Sequence, residues 1–167
     1  TTIPKLSDKP IVLKDENGVF SDKNFHQIAS VTKYLHKNRI FIKRQHVLDG
    51  LIRYLKGNNG LPAICFVFSR KHVEQAANEV SFSLYDEDCD TPSTIEKECR
   101  HILTSKLPNF KEYLQLPEYN NLLSLLKKGI GIHHAGVLAV FREMVEILFE
   151  KKIIKLLFAT ETLAVGI

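Results

Sequence analysis

The sequence predicts an α/β fold, a parallel sheet with helices on both faces, on three observations. Three short runs are apolar almost throughout: Ala63 to Phe68, Ile130 to His133 and Ile153 to Ala159. Continuous rather than alternating hydrophobicity marks strands covered on both sides. Between these runs, apolar residues recur at helical spacing. Strands alternating with helices imply parallel strands joined by right-handed crossovers, so all strand carboxyl ends share one edge.

The elements follow in order. Residues 1–20 hold two prolines and a turn signal, Asp15-Glu16-Asn17-Gly18, beside the apolar run Ile11-Val12-Leu13. They read as a connecting segment with one short strand. Asp22 is placed to cap a helix whose apolar face is Phe25, Ile28, Thr32 and Leu35. A second helix carries Leu48, Leu51, Ile52 and Leu55 and ends at Gly57. After the Gly60/Pro62 break comes the first strand, expected at the centre of the sheet. Ser69 then caps a helix with Val73, Ala76, Val80 and Leu84 inward. The acidic stretch Asp86 to Asp90 reads as a solvated loop, with a metal site as the alternative. Thr91 and Pro92 open a helix striped by Ile95, Cys99, Ile102 and Leu103. Pro117 opens the next, with Tyr119, Leu122, Leu123 and Leu126 inward and Gly129 closing it. The second strand follows, then a helix over 138–150 facing inward through Phe141, Val145, Leu148 and Phe149, then the third strand.

Composition narrows the class. A chain of 167 residues, 44% hydrophobic and 25% charged, suits one globular domain. No apolar run approaches the roughly 20 residues that cross a bilayer, so no membrane partner is expected. The 3 cysteines, Cys65, Cys89 and Cys99, are odd in number with no CxxC pair. They predict free thiols in a reducing, intracellular compartment, with Cys65 buried. A net charge of +4 is compatible with a polyanionic partner and equally with a solvated surface. The last residues, Ala164 to Ile167, follow directly on a buried strand and its turn, which predicts a longer natural chain.

Ligands of open α/β sheets bind outside the strand carboxyl ends. There the sequence sets Ser69 and Arg70, then His133, His134, Ala135 and Gly136, then Thr160, Glu161 and Thr162. Each group leads into a helix or turn whose free N–H groups favour an anion. Small residues such as Ala135, Gly136 and Ala164 permit close backbone approach. Hydroxyls, imidazoles and helix N-termini along one edge suit a phosphodiester track. Adjacent His133 and His134 leave a strand in opposite directions, so one is expected packed and the other exposed, which argues against a metal pair. The chain has no GKT or GKS phosphate loop, no DExH run and no Ser-His-Asp arrangement.

These residues carry a resemblance. Gly129 to Gly136, reading GIGIHHAG, resembles the GIGxHHxG segment of superkiller-type, exosome-associated DExH RNA helicases of superfamily 2. Glu143 to Gly166 resembles the region ending in their FATETxAxG motif V, and Ala63 to Arg70, AICFVFSR, resembles motif IV. KDENGVF, residues 14–20, resembles the connector leading out of the first motor domain. The resemblance implies a RecA-like parallel sheet flanked by helices. Residues 1–20 would be the connector and 21–167 part of the second RecA-like domain, ending within motif V. It also implies an ATP-dependent RNA helicase, running 3′ to 5′, that binds single-stranded RNA through its backbone and acts with exosome-type or RNA-processing complexes. ATP and Mg2+ would be bound mainly by the first domain.

In the resemblance, Thr160 contacts a phosphate of the bound strand, and Glu161 and Thr162 shape the turn between nucleic acid and nucleotide. Gly166 lies close to the nucleotide. Ser69 and Arg70 line the track with His134 and Gly136, and Arg142 matches a basic helix position. Capping, turn geometry and surface charge explain several of these residues equally well. The chain departs from the family where Leu138 to Glu143 lacks the proline of LPxxKE, and where Lys151-Lys152 replace a glycine turn. Motif VI, with its arginine finger, is not in the sequence. Two other functions stay open: a DNA-repair helicase of the same superfamily, and a catalytically inactive nucleic-acid-binding scaffold.

Overall fold

A computed structural model describes residues 11–85, 90–161 and 163. The chain divides into two compact units, Thr1–Lys43 and Arg44–Ile167. In the first unit Asp15 Oδ1 accepts a hydrogen bond from the Val19 N–H at 2.8 Å, and Gly18 takes φ +81°. A left-handed φ is why this turn needs glycine. The turn closes an isolated antiparallel bridge between Lys14 and Phe20, in place of the strand expected at 11–13. Helix α1, Asp22–Lys37, is capped by Ser21, whose side chain accepts from the Asn24 N–H, so the cap lies one residue before the expected Asp22. Asp22 instead places its charge in the first turn, where the helix dipole favours it. The buried residue of α1 is Val31, while Phe25 and Thr32 of the expected stripe are exposed.

The second unit carries the sheet. Helix α2 spans Arg44–Gly57 and β1 spans Ala63–Phe66. Helix α3, Arg70–Glu79, follows β1 after Ser69, whose side chain makes no capping bond although its backbone holds the N-cap position. Three helices follow: α4 (Thr91–Lys106), the single turn α5 (Phe110–Tyr113) and α6 (Pro117–Leu126). Strand β2 (Ile130–His133), helix α7 (Ala139–Glu150) and strand β3 (Leu156–Ala159) complete it. Pro92 and Pro117 stand in the first turns of α4 and α6, where a missing N–H costs nothing.

All strand pairings are parallel and the order is β1-β3-β2, with Phe66, Ala159 and His133 in register. Alternate residues of β3 therefore face two cores. Leu157 and Ala159 meet Ile95, Leu103, Phe141 and Leu148 from α4 and α7, whereas Leu156 and Phe158 meet Ile52, Val73 and Ala77 from α2 and α3. The stripes expected for α4 and α6 are buried throughout; α3 ends at Glu79, so Val80 and Leu84 of its expected stripe are buried beyond the helix, and α7 buries Met144 while Phe149 of its stripe is half-buried. In α2, Leu51 of the expected stripe is exposed at 48% and the polar Asp49 is buried.

The first strand departs from expectation. β3, not β1, is central, and β1 is an edge whose residues alternate between half-buried and exposed. Ala63 and Cys65 pack on the α3 side, but Ile64, Phe66 and Phe68 face outward, Phe68 at 87% exposure. Cys65 is half-buried rather than buried, and Cys99 is a buried thiol pushed up to about 12 by burial. Cys89 and the acidic stretch 86–89 lie outside the described residues. No described helix is long and apolar enough to cross a membrane.

Two polar links fix α2 to α3 and to the segment that follows it. Arg44 donates from Nε and one terminal nitrogen to the two carboxylate oxygens of Glu79, both at 2.6 Å. Asp49 accepts from the Ser81 hydroxyl at 2.6 Å and the Ser81 N–H at 3.1 Å, and these bonds hold its carboxyl below the usual range. Asp49→Ala, which removes both hydrogen bonds to exposed Ser81, should cost roughly 1 kcal/mol in urea unfolding at neutral pH. Because the folded-state carboxyl is the more acidic, its contribution is complete above the unfolded value of about 3.9. It vanishes as pH falls through the lower folded value, and the gap between wild type and variant should close there.

Candidate nucleic-acid interface

The parallel sheet delivers three strand exits to one edge. The Val67 N–H donates to the Ala159 carbonyl at 2.8 Å and the Thr160 N–H to the His133 carbonyl at 3.1 Å, so the ladder runs one residue beyond the strands. Thr160 is thereby set between the exits of β1 and β2. It is buried, at 6% exposure, and its carbonyl accepts from the Leu163 N–H at 3.2 Å, forming the turn that carries exposed Glu161. Thr162 and Gly166 lie outside the described residues.

Beside Thr160, β1 leads through Ser69 into α3, and exposed Arg70 is the first residue of that helix. A Cβ built on Gly136 would come within 3.7 Å of Arg70 Cδ, so the start of α3 and the loop after β2 are neighbours. Half-buried Arg142 lies near the start of α7, which also opens at this edge because α7 returns antiparallel to the strands. The edge thus gathers a hydroxyl, a guanidinium and the N-termini of two helices. These are groups that donate to phosphate oxygens without reading a base.

The histidines behave differently from expectation. They leave β2 in opposite directions, but both are buried, His133 at 6% and His134 at 2% exposure. The reason is that helices cover both faces at this end. His133 Nε2 lies 2.6 Å from Glu146 Oε1 on α7, while His134 Nε2 lies 3.2 Å from Glu74 Oε1 on α3. His134 Nδ1 accepts a hydrogen bond from the Gly136 N–H at 3.1 Å, and the Val137 N–H donates to the His134 carbonyl at 3.0 Å. Burial pushes the His134 imidazole below its ordinary value, against the pull of Glu74. His134 is therefore neutral near pH 7, and its imidazole is turned into the protein rather than towards a bound strand.

Next to Gly136 a cavity of about 470 Å³ opens between α3, α6 and the loop, rimmed by Glu74, Asn78, Glu118 and Asn121. Its carboxylates repel a polyanion, which leaves the Arg70 side of the loop for one. Among the described residues no group of three His, Cys, Asp or Glu side chains could hold a metal ion. The covering of both histidines is what sequence reasoning missed. The signal available was Glu74 and Glu146, each on a helix flanking the motif.

No family model matches the chain. An uncharacterized helicase of Schizosaccharomyces pombe is 31% identical over 98% of the chain, which spans 16% of that relative's length. The exosome RNA helicase MTR4 of Mus musculus is 35% identical over 98% of the chain and 16% of its own length. The antiviral helicase SKI2 of Saccharomyces cerevisiae is 38% identical over 70% of the chain and 9% of its own length. The resemblance read from GIGIHHAG and FATET thus extends across nearly the whole sequence, over an all-parallel, helix-flanked sheet of RecA-like kind. The chain belongs to the superkiller-type DExH helicases, as a segment much shorter than the relatives it matches.

Proposed function

We propose that the full-length protein is an ATP-dependent RNA helicase moving 3′ to 5′, and that this chain is its grip on the RNA backbone. Residues 1–20 would serve as the connector from the first motor domain and 21–167 as part of the second. The observation that carries this reading is the convergence of Arg70, Thr160 and the N-termini of α3 and α7 on one sheet edge. Donors of this kind hold phosphates independently of sequence, as a translocating motor requires. Ser69, Gly136, Glu161, Thr162 and Gly166 complete the proposed set. The name of MTR4 suggests an exosome-type RNA-processing complex as the partner class.

This reading implies ATP and Mg2+ as cofactors. Among the described residues no group of three His, Cys, Asp or Glu side chains could hold the ion, and Gly166 lies outside them. Both would be bound chiefly by other parts of the full-length protein. What this chain's own residues do is orient and hold the strand at the sheet edge.

The test is ATP hydrolysis by the full-length protein with single-stranded RNA, with single-stranded DNA and with neither, alongside the 167-residue chain alone. Strong stimulation by RNA and no turnover by the isolated chain are expected. A preference for DNA would move the protein to the repair-type branch of the superfamily. No turnover with any polymer would make it an inactive scaffold, and turnover by the chain alone would refute its role as half of a site.

A further inference from the structure

We propose that His134 is a positioning residue, which fixes the turn of residues 134–137 against α3 and so sets the backbone that faces the RNA beside Arg70. The proposal rests on the RNA-grip reading of this edge. Its basis is geometric. His134 is 2% exposed, so its imidazole is not placed to touch a bound strand. Its Nδ1 accepts the Gly136 N–H at 3.1 Å, closing the turn from inside. The same bond occupies the Gly136 N–H, which is then unavailable to a phosphate.

The ring also explains the glycine. A Cβ at residue 136 would lie 3.0 Å from His134 Nδ1 and 3.1 Å from Cε1, closer than a side chain tolerates without displacing the imidazole. Histidine and glycine therefore form one device, a ring beneath a turn where a larger residue would push the ring aside by a few tenths of an ångström. Accepting through Nδ1 leaves the proton of the neutral ring on Nε2. That nitrogen faces Glu74 at 3.2 Å, off the line of a good hydrogen bond, so the contact is chiefly electrostatic. It ties the turn to the helix that begins with Arg70.

The groups facing the ring are Glu74 and Arg70 from α3 and His133 from β2, with Glu118 of α6 on the rim of the adjoining cavity. Burial outweighs Glu74, so protonation of His134 falls below its ordinary range. A proton on Nδ1 removes the acceptor and releases the Gly136 N–H. The turn should therefore loosen in acid.

The experiment uses the full-length protein with single-stranded RNA and reads the RNA concentration for half-maximal ATPase stimulation. His134→Ala should raise that concentration about five-fold while leaving kcat within about two-fold, as loss of one hydrogen bond in the turn implies. His134→Asn, whose Oδ1 can replace the Nδ1 acceptor, should recover most of the loss. Gly136→Ala should reproduce the His134→Ala defect. The half-maximal concentration of wild type relative to His134→Asn should rise only as pH falls below the ordinary histidine range, because asparagine does not titrate. Equal defects in the asparagine and alanine variants would overturn the proposal.

Hydrogen exchange across residues 131–137 without RNA gives a readout independent of turnover. It should be faster in His134→Ala than in wild type and restored by asparagine, and unchanged exchange would overturn the proposal. Absence of RNA stimulation in wild type would instead count against the RNA-grip reading, and the exchange data would still decide the role of His134.

Discussion

Phe158→Ala will lower the unfolding free energy of the sheet-bearing unit by about 3–5 kcal/mol, the range for a fully buried phenylalanine. Phe158 is 1% exposed on β3, the strand bonded on both edges. Its ring fills the core that α2 and α3 share, among Ile52, Val73, Ala77 and Leu156. Its neighbours Ile52, Val73 and Ala77 are themselves buried on helices pressed against the sheet, so a sizeable cavity term is expected. A domain of this size has roughly 5–15 kcal/mol to lose, so the variant should be marginal at 37 °C. The contrast is Phe68→Ala, where the ring is 87% exposed and a change within about 0.5 kcal/mol is expected. Urea midpoints of the two variants decide it. Similar shifts would show that Phe68 is covered in solution and that the outward face of β1 has been misread.

That face also marks where sequence reasoning stopped. The helices α3, α4 and α6 were legible because each is pressed on the sheet or on neighbouring helices along a whole stripe. Their apolar residues therefore recur at helical spacing, although the stripe read for α3 runs on through Val80 and Leu84 beyond its end at Glu79. α1 and α2 bury little, and their stripes misled accordingly, with Phe25 and Leu51 exposed and Asp49 buried against Ser81. The run Ala63 to Phe68 is apolar on both faces, which a central strand requires, yet it forms an edge. Strand order is a property of crossovers between distant segments, and no local pattern placed β3 between β1 and β2.

The site shows the same division. A pleat places successive residues on opposite faces, so the divergence of His133 and His134 was legible. Their burial was not, because it depends on Glu146 arriving from α7 and Glu74 from α3. Which residues reach the carboxyl edge follows from parallel topology alone, which is why Ser69, Arg70, Gly136 and Thr160 were named from sequence and meet there. Ser21 in place of Asp22 as the cap of α1 is a shift of one residue between two good capping types, within the usual uncertainty of helix ends.

Replacing Thr160 with valine in the full-length protein should raise the RNA concentration for half-maximal ATPase stimulation roughly ten-fold, as loss of a hydrogen bond to a charged phosphate implies. Valine is the sharper test than alanine because it keeps the shape of a side chain that is only 6% exposed and removes the hydroxyl. The backbone of Thr160 is already committed, its N–H to the His133 carbonyl and its own carbonyl to the Leu163 N–H. Those bonds hold the side chain between the exits of β1 and β2, where the proposed grip lies. The hydroxyl carries no charge and displaces no counterion, so the salt dependence of RNA binding should keep its slope while the whole curve shifts. Thr160→Ala should show the same defect together with a small loss of stability from the lost methyl. If valine leaves stimulation unchanged while alanine lowers both stability and stimulation, the residue acts by packing the strand end, and the phosphate grip passes to Arg70 and the helix N-termini alone.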